Sequence, residues 1–253
     1  MENLPVVTAD LELAVQGLAM RYRRANGPVM SLMNRIGGSV EERVAMLPQA
    51  VRTQLAQVTQ AALERAHGVA AFTSRLKGPD LGERGPVLAA MAAGVAGGMG
   101  GLPTVIAELP VTITLFLHTI RAAAVEAGFD ADDPGIRAEC LQVFAAGSPL
   151  RGDDGVNTSF IGARMAVSSA AIQKVIAVVA PRLGLALGQK LVAQAVPVIG
   201  AVTGAALNAA YLRYYREMAR IRFGLLRLAQ THGAEAALAA FQAAVKVPSL
   251  TKA

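Results

Sequence analysis

Tryptophan is absent, cysteine occurs once, at Cys140, and aromatic residues make up 4% of the 253 positions. A lone cysteine excludes an internal disulfide and a thiolate-built zinc site, and it suits a reducing compartment. Scarce aromatics favour close helix–helix approach over a bulky aromatic core. They also argue against a single-strand nucleic-acid groove, because the basic C-terminal stretch has only Tyr211, Tyr214, Tyr215 and Phe223 to interleave with its arginines. Nucleic acid is therefore not an expected partner. Charged residues are scarce as well, at 17% where a quarter is usual. No phosphate-binding loop, zinc spacing or nucleophile elbow occurs, and Asp130, Asp132 and Asp133 lack the loop spacing and terminal glutamate of a calcium hand. No metal and no cofactor is expected. Glu2 and the missing basic region before any apolar run speak against a secretory signal, so the expected location is cytoplasmic, on the inner face of a membrane.

What the chain has in abundance is small apolar surface. Hydrophobic residues reach 53%, with 25 glycines and a mean hydropathy of +0.42. Two windows of 22 residues, Pro86–Ala107 and Leu191–Leu212, carry no acidic or basic side chain. That length matches a bilayer core. The first window holds only eight large apolar side chains, however, and Gly94, Gly97, Gly98, Gly100 and Gly101 weaken it as a helix. Glycine pairs four apart (Gly94/Gly98, Gly97/Gly101, Gly184/Gly188, Gly200/Gly204) let backbones approach closely. The pattern predicts a tightly packed or interfacial helix pair in preference to spanning helices.

Strand-like alternation is missing over any useful length, and the expected fold is all-α, a multi-helix bundle with these two Gly/Ala-rich stretches at its centre. A helix is predicted from Thr8 or Asp10 to Arg24, then a short one over Val29–Ile36 and a capping box at Ser39–Glu42. A long helix opens near Pro48 and runs towards Arg75, and Lys77–Pro86 reads as a charged linker. Pro110 is predicted as the first-turn residue of a helix ending near Ala127 before Gly128, and Pro134 as the start of the next. Further helices are predicted over 157–180, broken by Pro181, over 183–196, and from near Val202 to Thr231. Three units follow: a lead-in over 1–38, a helical domain over 39–233 and a tail over 234–253.

Few polar residues stand out. Glu108, two residues before Pro110, suits an N-terminal cap. His118 and Arg121, three apart, are expected to share a helix face. Asn208, Tyr211 and Tyr215 fall on one face of the last long helix, and with Arg216 or Arg220 they would form a small site for an anionic headgroup; the alternative is a packing strip whose tyrosine hydroxyls stay wet. From Arg213 onward seven basic residues face two acidic ones, and Arg216, Arg220 and Arg222 are the expected contacts to anionic lipid. Cys140 lies on an apolar stripe and reads as a small buried hydrophobe.

Several stretches resemble the EcsC family: the Gly-rich segment leading into Glu108-Leu109-Pro110, Glu126–Asp130, Pro134–Phe144, Val196–Asn208 with Tyr211, and Ala219–Phe223 through to His232-Gly233. The resemblance covers roughly residues 40 to 233. It implies a bacterial protein linked to a transport or envelope process, with an ABC transporter as partner, since the founding relative is encoded beside one. It implies no catalytic residues. The residues and the resemblance together give a non-enzymatic, membrane-associated helical protein whose partner is anionic lipid or a membrane protein. The alternatives are a soluble helical scaffold or accessory protein, and an enzyme on a lipid-like substrate using Glu108 and His118 as acid and base. Oligomeric state is not fixed by the sequence.

Overall fold

The structure, a computed structural model, describes residues 9–25, 48–73, 84–99, 102–146, 169–193 and 197–246. Among them are eight α-helices and no strand: α1 Ala9–Ala25, α2 Gln49–Thr73, α3 Arg84–Met99, α4 Leu102–Glu126, α5 Pro134–Gln142 with a 3-10 turn Val143–Ala146, α6 Ser169–Ala193, α7 Pro197–His232 and α8 Ala234–Lys246. The all-α bundle expected from the sequence is what forms. The short helix over Val29–Ile36, the capping box at Ser39–Glu42 and most of the Lys77–Pro86 linker lie outside the described residues.

Local chemistry sets several ends. Gly128 takes φ 82° and closes α4: its N–H bonds to Val125 O at 2.8 Å, and the Phe129 N–H reaches Ala124 O at 3.0 Å. Those two bonds satisfy carbonyls that the helix end would otherwise leave open. Asp133 caps α5, its carboxylate accepting from the Gly135 and Ile136 N–H groups at 2.7 and 3.0 Å, with Pro134 as first residue. Gly233, φ 86°, separates α7 from α8.

Two prolines behave otherwise than predicted. Pro110 does not open its helix; it lies inside α4, which begins at Leu102. A mid-helix proline costs about 3 kcal/mol. Here it sits within one stripe formed by Ile106, Leu109, Ile113, Phe116 and Ile120, all at most 8% exposed. Each such side chain contributes about 1.5–3 kcal/mol on burial, so the stripe outweighs the lost bond. Pro181 likewise interrupts nothing: α6 runs through it with Ile176, Val179, Ala180, Leu183 and Leu187 buried. At Pro197 the opposite error occurs, for α7 starts there, five residues before the expected Val202.

α4 and α7 form the centre. α4 contributes the stripe above, and α7 contributes Tyr211, Leu212, Tyr215, Met218, Ala219 and Phe223, each at most 2% exposed. α2 and α6 pack on one side, α3 lies along α7, and α1 and α8 cover the far half of α7. Tyr22 of α1 meets Phe241 of α8 edge-on at 6.2 Å.

The two charge-free windows are divided between helices. Pro86–Ala107 falls on α3 and the start of α4, and Leu191–Leu212 on the end of α6 and the first half of α7. They meet where Gly94 sits against the backbone of Gly204, and four residues further back Ala90 lies beside Asn208, so α3 and α7 run antiparallel. Among the described residues one segment, Ile106–Glu126, is long and apolar enough to cross a membrane, and 56% of it is buried inside the bundle. It is the core helix, and neither predicted window.

Candidate functional site

The junction of α3, α4 and α7 holds a buried polar node. Glu108 (8% exposed) accepts from Thr112 Oγ1 at 2.5 Å and from Asn208 Nδ2 at 2.6 Å, and the same amide nitrogen donates to Ala90 O of α3 at 2.8 Å. One side chain of α7 thus fastens both neighbouring helices. Asn208 is 0% exposed, and its Oδ1 has no hydrogen-bond partner. A buried amide oxygen in that state is costly, and the two bonds made by the Nδ2 of the same side chain offset that cost. Glu108 is therefore no N-terminal cap: α4 begins six residues earlier, and the carboxylate turns inward.

Next to the node lies an aromatic cluster. Tyr211 stacks parallel to Phe116 at 6.4 Å, and Tyr215 contacts Phe116 at 5.5 Å, Phe144 at 5.1 Å and Tyr214 at 5.4 Å. Tyr211 and Tyr215 are both 0% exposed. Burial drives the Tyr215 phenol well above its usual pKa, with Tyr211 and Tyr214 adding to the effect. Their hydroxyls do not stay wet, and they present no headgroup site at the surface. Cys140 lies in the same core, its thiol pushed up to about 12 by burial against the opposing pull of Arg121.

The arginines are occupied within the fold. Arg222, 0% exposed, donates from Nε to Glu139 at 2.7 Å and from Nη2 to Glu139 and, at 2.5 Å, to Gln142. Burial lowers its pKa and the Glu139 carboxylate raises it again. Arg220 donates to Glu126 at 2.9 Å and Glu217 at 3.1 Å, and Arg21 reaches the other Glu217 oxygen at 3.1 Å, linking α1, α4 and α7. Arg121, 6% exposed, pairs with Asp132 at 2.7 Å. The lipid contact expected of Arg222 is excluded by its burial, Arg220 is engaged with two carboxylates, and Arg216 is half-buried. The exposed cations of α7 are instead Arg213 and Arg227.

Of the residues singled out in the sequence, the structure unites Glu108 with Asn208, a hundred positions apart, and Tyr211 with Tyr215. It separates the rest. His118 is exposed while Arg121 is buried, so the two do not act together. His118 also lies ten residues along α4 from Glu108, about 15 Å of rise, and the acid–base pair of the enzymatic alternative is not assembled. Sequence reasoning missed Thr112, whose only signal was its place one turn after Glu108, and Glu139, which gave none. No group of three or more His, Cys, Asp or Glu able to hold a metal occurs among the described residues.

Residues 82–228, more than half of the chain, match the model of the EcsC protein family. The chain belongs to that family. No curated protein and no solved structure matches it. The EcsC match is shorter than the expected 40–233 span. It takes in α3 to the end of the aromatic and arginine-rich part of α7, and with them every member of the node. α1, α2 and α8 lie outside the EcsC segment.

Proposed function

We propose that this EcsC protein is a non-enzymatic, membrane-associated helical protein, peripheral on the cytoplasmic face and accessory to a transport or envelope process. One observation carries the reading: the two charge-free windows, a hundred residues apart in sequence, lie side by side as α3 and the first half of α7. Together they give two adjacent helical stretches, Pro86–Met99 and Pro197–Leu212, without a charged residue. A soluble helical bundle ordinarily arms its outer faces with charge, whereas surfaces that meet acyl chains leave it out. The protein's net charge of +6 favours anionic membranes.

Fractionation of the expressed protein tests this, with the membrane fraction washed first in high salt and then in carbonate. Release by salt is the expected outcome for peripheral binding, and retention through carbonate indicates insertion of the apolar flank. Recovery in the soluble fraction alone refutes the proposal and favours an accessory protein in solution, a reading supported by the burial of Ile106–Glu126.

A further inference from the structure

The order of side chains on α3 is inverted. The positions turned towards α7, Ala90 and Gly94, are buried and minimal in size, and α7 meets them with Gly204 and Asn208. Val87 packs on the core, but the other large apolar side chains described on α3 point the other way: Leu88, Met91 and Val95 recur at spacings of three and four, on one face, and are 57%, 37% and 39% exposed. Ala89, Ala92 and Ala96 beside them are exposed too. A bundle helix in water turns its leucine and methionine inward, because removing that area from water is what drives packing. A helix that buries glycine and alanine and displays leucine, methionine and valine is arranged for an apolar surrounding.

We propose that this outer face of α3 is the surface that enters the acyl region of a lipid monolayer, with anionic headgroups held at the basic end of α3 and α7. The inference rests on the membrane reading above and specifies its surface and ligand. Charge placement argues for lipid over a protein partner. Protein interfaces carry a polar rim with hydrogen-bonding side chains, and from Gly85 to Met99 α3 has none. The first charges appear at one level. Gly94 lies opposite Gly204 and Ala90 opposite Asn208, so the antiparallel register brings Arg84, which opens α3, level with the region of Arg213, the first charged and exposed residue of α7. Apolar surface that gives way to an exposed cation, Arg213, at this level matches the boundary between acyl chains and anionic headgroups.

The absence of tryptophan gives a clean test. Full-length Leu88→Trp, Met91→Trp and Val95→Trp variants, with Val178→Trp on α6 (57% exposed) as control, are mixed with phosphatidylglycerol-containing vesicles bearing brominated acyl chains. Blue-shifted, quenched emission is expected at 88, 91 and 95, and neither change at 178. A Leu88→Gln/Met91→Gln/Val95→Gln variant, checked for folding by circular dichroism, is expected to lose roughly tenfold or more in vesicle partitioning. Vesicle binding without any emission change at the three α3 positions overturns this surface and leaves the membrane reading intact. Retention on native membranes without binding to pure lipid identifies a protein occupant and also overturns it. If the wild-type protein meets neither, both readings fall.

Discussion

Replacing Gly94 by alanine adds one methyl group at the closest approach of α3 and α7, and the structure sets what that methyl meets. An ideal Cβ there would lie 2.5 Å from the carbonyl carbon of Gly204 and 2.8 Å from the nitrogen of Ala205, with the Gly204 oxygen nearer still. All three are backbone atoms of a helix, so no rotamer change relieves the clash. The helices must separate by about 1 Å to restore ordinary carbon contacts. That movement also stretches the 2.8 Å bond from Asn208 to Ala90 O, a few residues away in the same interface. Overpacking costs about 1–3 kcal/mol and a buried hydrogen bond lost from one side about 1–3 kcal/mol. Alanine's better helix propensity returns about 1 kcal/mol. The net expected loss is about 1–5 kcal/mol, or roughly 2–10 °C in melting temperature at the ~2 °C per kcal/mol of a chain of this size. Gly17→Ala on α1 is the control, since nothing lies within 4 Å of its added Cβ, and it is expected to stabilise slightly. Thermal melts followed by circular dichroism measure both. A Gly94→Ala protein that melts at or above the wild-type temperature refutes the close packing of the two windows.

Two further outcomes follow from the buried groups. Asn208→Leu keeps the volume but leaves Ala90 O and Glu108 each short of a donor, while removing the unpartnered Oδ1. A net loss of about 2 kcal/mol is expected, read as a fall in the urea midpoint of roughly 0.7 M for a slope near 3 kcal/mol/M; an unchanged midpoint contradicts the node. With its pKa at about 12, Cys140 is thiolate in only about one molecule in ten thousand at pH 8, so native protein should resist thiol reagents and unfolded protein should react at once. Because the folded pKa lies above the ordinary 9.0, the unfolded chain releases this proton first. Stability from this group is full below pH 9 and declines as pH rises towards 12, by up to about 1.4 kcal/mol per pH unit; denaturant midpoints across that range give the slope.

The sequence by itself determined the helical class, the neighbourhood of most helix ends and the family. These are properties of local pattern: apolar residues at three and four, Asp133 before Pro134, Gly128 and Gly233 where the backbone must take positive φ. It also marked the two charge-free windows, because absence of charge is visible without coordinates. Only the tertiary structure decided the rest, since those outcomes depend on which distant residues share a space. Pro110 and Pro181 continue their helices because buried stripes on both sides outweigh a missing hydrogen bond. Glu108 turned from cap to node because Asn208, a hundred residues on, supplies a donor where water is excluded. Arg222 reads on paper as one cation in a basic tail, yet it is drawn inward by Glu139, which no spacing connects to it. The inverted face of α3 was equally hidden: its leucine, methionine and valine would have filled the core, had α7 not brought Gly204 and Asn208 against the opposite side.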